Sequence, residues 1–171
     1  MTDQTLNQQF DTLSDLDIIK YQPQNSIIEN LNPRISLRQY QEEALARFQY
    51  YLNDYKLKSY PTHLLFNMAT GSGKTIVMAA NILYLYDKGY RNFIFFVNSK
   101  NVIEKTRANF LDKSSPKYLF AEKISFNHQE INIVEVDNFE AVNDSDINIH
   151  FTTIQGLHSN LTEPRENRPT F

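Results

Sequence analysis

Met68-Ala69-Thr70-Gly71-Ser72-Gly73-Lys74-Thr75 is the stretch on which the fold turns. Gly71 and Gly73 allow backbone angles and a close approach that a side chain would block. Consecutive backbone N–H groups can then converge on a phosphate, helped by the positive end of a following helix. Lys74 is placed to reach the β- and γ-phosphates, and the Thr75 hydroxyl to ligate Mg²⁺. Thr70 and Ser72 complete the loop. Met68 stands where the strict pattern has its first glycine. A ligand-free glycine turn would need neither Lys74 nor Thr75, so the stretch implies a site for a nucleoside triphosphate, with ATP as the cofactor.

The segments on either side fit that role. His63 to Asn67 reads as a buried strand entering the loop, and a helix is predicted from Lys74 to about Lys88. Ile76, Ala79, Ala80 and Leu83 fall on its inner face, and Gly89 is placed to end it. Upstream, Ser36 and Gln39 have capping-box spacing, so a helix is predicted from near Ser36. Its apolar face would carry Leu37, Tyr40, Ala44, Phe48, Tyr51 and Tyr55. Downstream, Asn92 to Val97 is almost wholly apolar, as in a strand covered on both faces. A helix fits Asn101 to Leu111, with Val102, Ile103, Thr106 and Phe110 inward. Tyr118 to Phe126 and Ile131 to Val136 read as strands or a hairpin, 138–146 as a polar connection, and Ile147 to Thr153 as a further strand. Alternating strands and helices predict an α/β fold with a mostly parallel sheet flanked by helices.

Composition narrows the function. The chain has 171 residues, 41% of them hydrophobic and 13% aromatic, which suits a globular fold. No apolar run is long enough for a membrane span, and the polar start Met1-Thr2-Asp3-Gln4-Thr5 lacks a secretion-signal layout. The absence of cysteine removes disulfides and thiolate zinc sites and points to a reducing, cytoplasmic setting. A net charge of −3 excludes a strongly basic nucleic-acid footprint, so any contact with nucleic acid must be local. The histidines lack metal-site spacing, and no Gly-x-Ser-x-Gly elbow occurs.

The loop together with three other segments resembles the motor domains of superfamily-two helicases and DNA translocases, most closely the Res subunits of type III restriction enzymes. Leu37-Arg38-Gln39-Tyr40-Gln41-Glu42-Glu43-Ala44 resembles the motif that holds the adenine base. The resemblance implies that Gln41 reads the adenine edge and that Arg38 packs near the ring. Phe95 to Lys105 resembles motif Ia, which implies that Asn98 and Ser99 touch a DNA phosphate; a plain helix N-cap would use the same residue types. His150 to Leu157 resembles a later Thr-Thr segment, implying that Thr152 and Thr153 also meet the DNA backbone; β-propensity followed by an N-cap is the alternative there.

The resemblance further implies a RecA-like P-loop domain that couples ATP hydrolysis to translocation on double-stranded DNA and to cleavage. Its partner would be a DNA-methyltransferase (modification) subunit that recognises the DNA sequence. Residues 1–35 are expected to be a polar extension, 36–161 a partial first motor domain, and 162–171 an unstructured tail. The family's Asp-Glu-x-His segment, which holds Mg²⁺ and orients the attacking water, does not occur in the chain. The resemblance therefore implies a truncated motor, with Lys74 for catalysis, that binds nucleotide weakly without turnover. The competing reading is a complete small P-loop NTPase or kinase, with Ile131 to Asp137 as its acidic strand and Asp137 as the Mg²⁺ partner.

Overall fold

The computed structural model describes residues 4–19 and 22–162. The elements run α1 (Leu6–Asp15), α2 (Asn25–Ile28), α3 (Gln39–Asn53), α4 (Lys74–Asp87), β1 (Asn92–Val97), α5 (Lys100–Leu111), β2 (Ile124–Phe126), β3 (Gln129–Ile131), β4 (Ile133–Glu135), β5 (Ile147–Thr153) and α6 (Ile154–Thr162). A parallel sheet of order β1-β5-β4 is the centre, and β2 and β3 form a separate antiparallel hairpin. No described helix is long and apolar enough to cross a membrane. The chain is an α/β protein with a parallel sheet flanked by helices.

β5 lies between β1 and β4 and supplies the most buried strand, with Ile147 and Ile149 nearly inaccessible. Phe95 and Phe151 are directly paired, their rings 5.6 Å apart, and Phe110 of α5 meets the Phe151 ring edge-on at 6.3 Å. Burying side chains of this size stabilises by roughly 1.5–3 kcal/mol each. Arg107 ties α5 to β4 by donating to Glu135, and the hydrogen bonds to Glu104 and Glu135 raise its pKa.

The strands expected at 92–97 and 147–153 occur with those bounds. β1 is nevertheless not covered on both faces: its residues alternate between exposed and half-buried, and Ile94 and Phe96 are 40% and 49% exposed. One of its faces packs into the core through Phe93, Phe95 and Val97. Tyr118 to Phe120 is buried, but forms only an isolated bridge from Phe120 to Leu31; the hairpin begins at Ile124.

The larger correction concerns the segment before the loop. His63 to Asn67 forms no ladder; its residues alternate between half-buried and exposed, and Leu65 is 92% exposed. Phe66 and Met68 turn inward onto the core, Phe66 against the Phe48 ring at 5.8 Å. Alternate side chains of the run bury, and it lacks a paired neighbour among the described residues.

The helix expected from Ser36 starts at Gln39, with Arg38 as N-cap. Gln41, not Gln39, reaches back, its Oε1 accepting from the Arg38 N–H at 2.9 Å. The buried face is turned accordingly: Gln41, Leu45, Ala46 and Tyr51 are buried, whereas Tyr40 is 40% exposed. In α4, Val77, Ala79, Ala80 and Leu83 are buried and Ile76 is half-buried; Gly89 follows at φ 96°. In α5, Ile103, Thr106 and Phe110 point inward, but Val102 is 44% exposed.

The N-terminal segment packs onto this body. Ile27 and Leu31 join the main core, and Phe10 and Ile19 form a second cluster with Ala46 and Tyr51. Arg47 of α3 holds Asp11 of α1 at 2.6 Å and also pairs with Glu43. Most of the expected tail, residues 163–171, lies outside the described residues.

Candidate functional site

The glycine loop runs into the N-terminus of α4. Gly73 is the N-cap, at φ 82° and ψ 33°, and Gly71 has φ 78°. Both angles lie in the left-handed region that side chains disfavour. Gly73 is doubly constrained, since a Cβ there would stand 2.4 Å from the Gln41 amide nitrogen. The first N–H groups of α4 have no partner within the helix, so the loop and the helix dipole together present donors to an anion.

Three donors converge on the Ala69 carbonyl: the Lys74 ammonium at 2.8 Å, the Ser72 hydroxyl at 2.7 Å and the Ser72 N–H at 3.3 Å. They fold the loop back on itself. Lys74 is exposed and Thr75 half-buried, both in the first turn of α4. Thr70 is exposed. A polyphosphate fits this arrangement, because the conformation is one only glycine takes readily and a lysine and a hydroxyl stand at the helix start. Thr75 is the residue that would hold Mg²⁺ beside it.

α3 closes the loop from behind. The Ser72 carbonyl accepts from the Gln41 amide at 2.8 Å and from the Tyr40 hydroxyl at 2.9 Å, and the Arg38 guanidinium donates to the Tyr40 oxygen at 3.2 Å. Arg38, Gln41 and the loop are thus brought together. Gln41 is only 3% exposed, with its Oε1 and one N–H engaged by Arg38 and Ser72. Reading a base edge would require that amide to be uncovered. Tyr40, by contrast, lines an open groove of about 610 Å³ that extends along α3 from Phe10 and Tyr51 to Ser72. Apolar periodicity places Tyr40 on a buried face, whereas its hydroxyl bonds the loop; a phenol next to a glutamine is the signal in the sequence.

A second grouping lies at the carboxyl ends of β1 and β5. Phe96 is paired with Thr152 and Val97 with Thr153, so Asn98 and Ser99 leave β1 beside the Thr-Thr end of β5. Ser99 is the N-cap of α5 but makes no side-chain cap bond, and Asn98 is exposed. Thr153 accepts from the Gly156 N–H at 3.0 Å, as a cap of α6 would. Gly156 was also missed: a Cβ there would lie 2.7 Å from the Thr152 hydroxyl, a close approach that a glycine inside a helix can signal.

Asp137 follows β4, an edge strand three residues long on the far side of β5 from β1. Among the described residues no group of three or more His, Asp or Glu could hold a metal ion.

Residues 34–170 match the family described as "Type III restriction enzyme, res subunit". The chain is 46% identical, over 138 residues, to the probable type III restriction-modification enzyme HindVIP Res subunit of Haemophilus influenzae. That alignment covers 77% of the chain and 27% of the relative, so the chain spans about a quarter of the relative's length. No solved structure matches the chain.

Proposed function

The chain belongs to the family of type III restriction enzyme Res subunits, and from that premise we propose that it is the ATP-binding part of a motor that couples ATP hydrolysis to DNA translocation and cleavage. The observation that carries the proposal is the Gly71-to-Thr75 loop at the start of α4, with α3 latched behind it through Gln41.

In this reading Thr70 to Gly73 and the α4 N-terminus hold the phosphates, and Lys74 neutralises charge that develops toward the γ-phosphate. Thr75 offers its hydroxyl to Mg²⁺, which supplies charge neutralisation when bound. Arg38 and Gln41 serve the adenine. Asn98, Ser99, Thr152 and Thr153 form one backbone-contacting patch, since both strand ends present hydroxyl and amide donors; contacts of this kind carry no sequence information. A modification subunit would then supply sequence recognition, and the setting would be cytoplasmic. The motor domain is assigned to 36–161. Residues 1–171 contain no Asp-Glu pair, so they are assigned nucleotide binding without turnover. The small-NTPase reading built on Asp137 is not favoured by the family match.

Nucleotide titration of residues 1–171 tests this. ATP should bind with Mg²⁺ dependence and in preference to GTP. Lys74→Ala should weaken binding roughly 10- to 100-fold, the worth of charged hydrogen bonds, and Gln41→Ala should erase the preference for adenine. Equal binding of GTP by the unaltered chain would count against the motor reading, and sustained DNA-stimulated hydrolysis would sink the claim of no turnover.

A further inference from the structure

The Ser72 carbonyl is held twice from the same side, by Tyr40 and Gln41 of α3. The Ser72–Gly73 peptide is trans, and in a planar trans peptide the C=O and the next N–H point in opposite directions. Drawing the Ser72 oxygen toward α3 therefore turns the Gly73 N–H away from α3. That N–H precedes those of Lys74 and Thr75 in the first turn of α4, where an anion would sit.

We propose that the Tyr40 hydroxyl is a positioning group for phosphate binding: by holding the Ser72 carbonyl against α3, it presets the Gly73 N–H as a donor to a phosphate oxygen. The inference rests on the nucleotide-binding reading above and adds to it a residue which that reading does not use. Arg38 takes part indirectly. Its guanidinium donates to the Tyr40 oxygen, which leaves the phenol's own proton for Ser72. Arg38 thereby connects the residue assigned to the base with the peptide assigned to the phosphates. Gln41 holds the same carbonyl through its Nε2 while its Oε1 accepts from the Arg38 N–H, so Tyr40 supplies the second of two independent donors to Ser72. Tyr40 is 40% exposed and is not among the buried core residues, while its hydroxyl is engaged by the loop.

The chain has four glycines, so selective ¹⁵N-glycine labelling gives a spectrum with two loop reporters, Gly71 and Gly73, and two references, Gly89 and Gly156. The chain is titrated with inorganic tripolyphosphate, which has no base, and separately with Mg·ATP, in the unaltered form and as Tyr40→Phe. The variant should bind both ligands about 3- to 10-fold more weakly, the worth of one hydrogen bond. The Gly73 resonance of the variant should move before any ligand is added, while Gly89 keeps its place and the thermal midpoint is unchanged. A purely structural tyrosine would lower the midpoint and leave the Gly73 amide alone. Unchanged tripolyphosphate affinity in Tyr40→Phe overturns the assignment, as does a loss confined to ATP, which would transfer Tyr40 to the base. Failure of the unaltered chain to bind either ligand overturns the nucleotide-binding reading itself, and the Tyr40 assignment with it.

Discussion

His63-Leu64-Leu65-Phe66-Asn67 and Asn92-Phe93-Ile94-Phe95-Phe96-Val97 are two short apolar runs of similar composition with different outcomes. Both bury alternate side chains: Phe93, Phe95 and Val97 of the second run pack on the main core, and of the first run Phe66 packs on the main core and Leu64 on the second cluster. Only the second is in a ladder, paired along its whole length with β5. Hydrophobic content is thus enough to lay a segment on a core, whereas strand formation needs a second backbone at hydrogen-bonding distance. The exposures follow from this. The outward residues of β1, Ile94 and Phe96, remain 40% and 49% exposed on a paired strand, whereas Leu65, on the unpaired run, is 92% exposed.

The contrast can be tested by substitution. Ile149→Ala in β5 should have the largest effect. Ile149 is 1% exposed, is paired with Phe93, and accepts from the Val136 N–H at 3.0 Å. A loss of about 2–5 kcal/mol in urea unfolding is expected; a loss under about 1 kcal/mol would mean that the sheet is not the seat of stability. Phe66→Ala should come next, at roughly 1–3 kcal/mol, because its ring is half-buried against Phe48. A cost equal to that of Ile149→Ala would erase the distinction between the two runs.

A smaller, pH-confined effect is expected from α4. Burial pushes the Tyr84 phenol above its ordinary value of 10.0, with Asn53 pulling part of the way back. A phenol whose pKa is higher in the folded state contributes stability that is complete below the unfolded value and is lost as pH rises through the folded one. Unfolding midpoints should therefore fall as pH climbs above about 10, and Tyr84→Phe should flatten that fall. An equally steep fall in the variant would assign it to other groups. Leu65→Ala should have the smallest effect, within about 0.5 kcal/mol. Amide exchange sharpens the same comparison: protection is expected at Asn148, whose N–H is bonded to the Arg91 carbonyl at 2.8 Å, and much less at Leu65. Comparable protection at Leu65 would reveal a ladder.

What could be read from the sequence depended on which force set each element. β1 and β5 were found with their bounds because each is one continuous run of β-forming residues. The turn out of α4 was found because Gly89 is needed at φ 96°. α3 was placed three residues early and its face turned, because apolar periodicity gives no reason to bury a glutamine. Gln41 is buried for its hydrogen bonds to Arg38 and Ser72. Apolar periodicity likewise places Tyr40 by its ring, whereas its hydroxyl is bonded to the Ser72 carbonyl. The glycine loop was legible because its residue types are set by backbone angles and chemistry at once. The strand assigned to 63–67 failed because pairing depends on a neighbour, and a single run of side chains holds no information about one.

The register of β1 against β5 also bears on how the chain leaves the ribosome. Asn92 waits for Asn148, 56 residues later, and β4, the other neighbour of β5, emerges before β5 does. Within that interval α5 and the β2–β3 hairpin can form local contacts early, but the centre of the sheet arrives last, and non-local pairing of this kind is slow. Through that interval Phe93, Phe95 and Val97 lack the strand that holds them in register, and an unpaired apolar strand is the kind of surface through which folding intermediates associate.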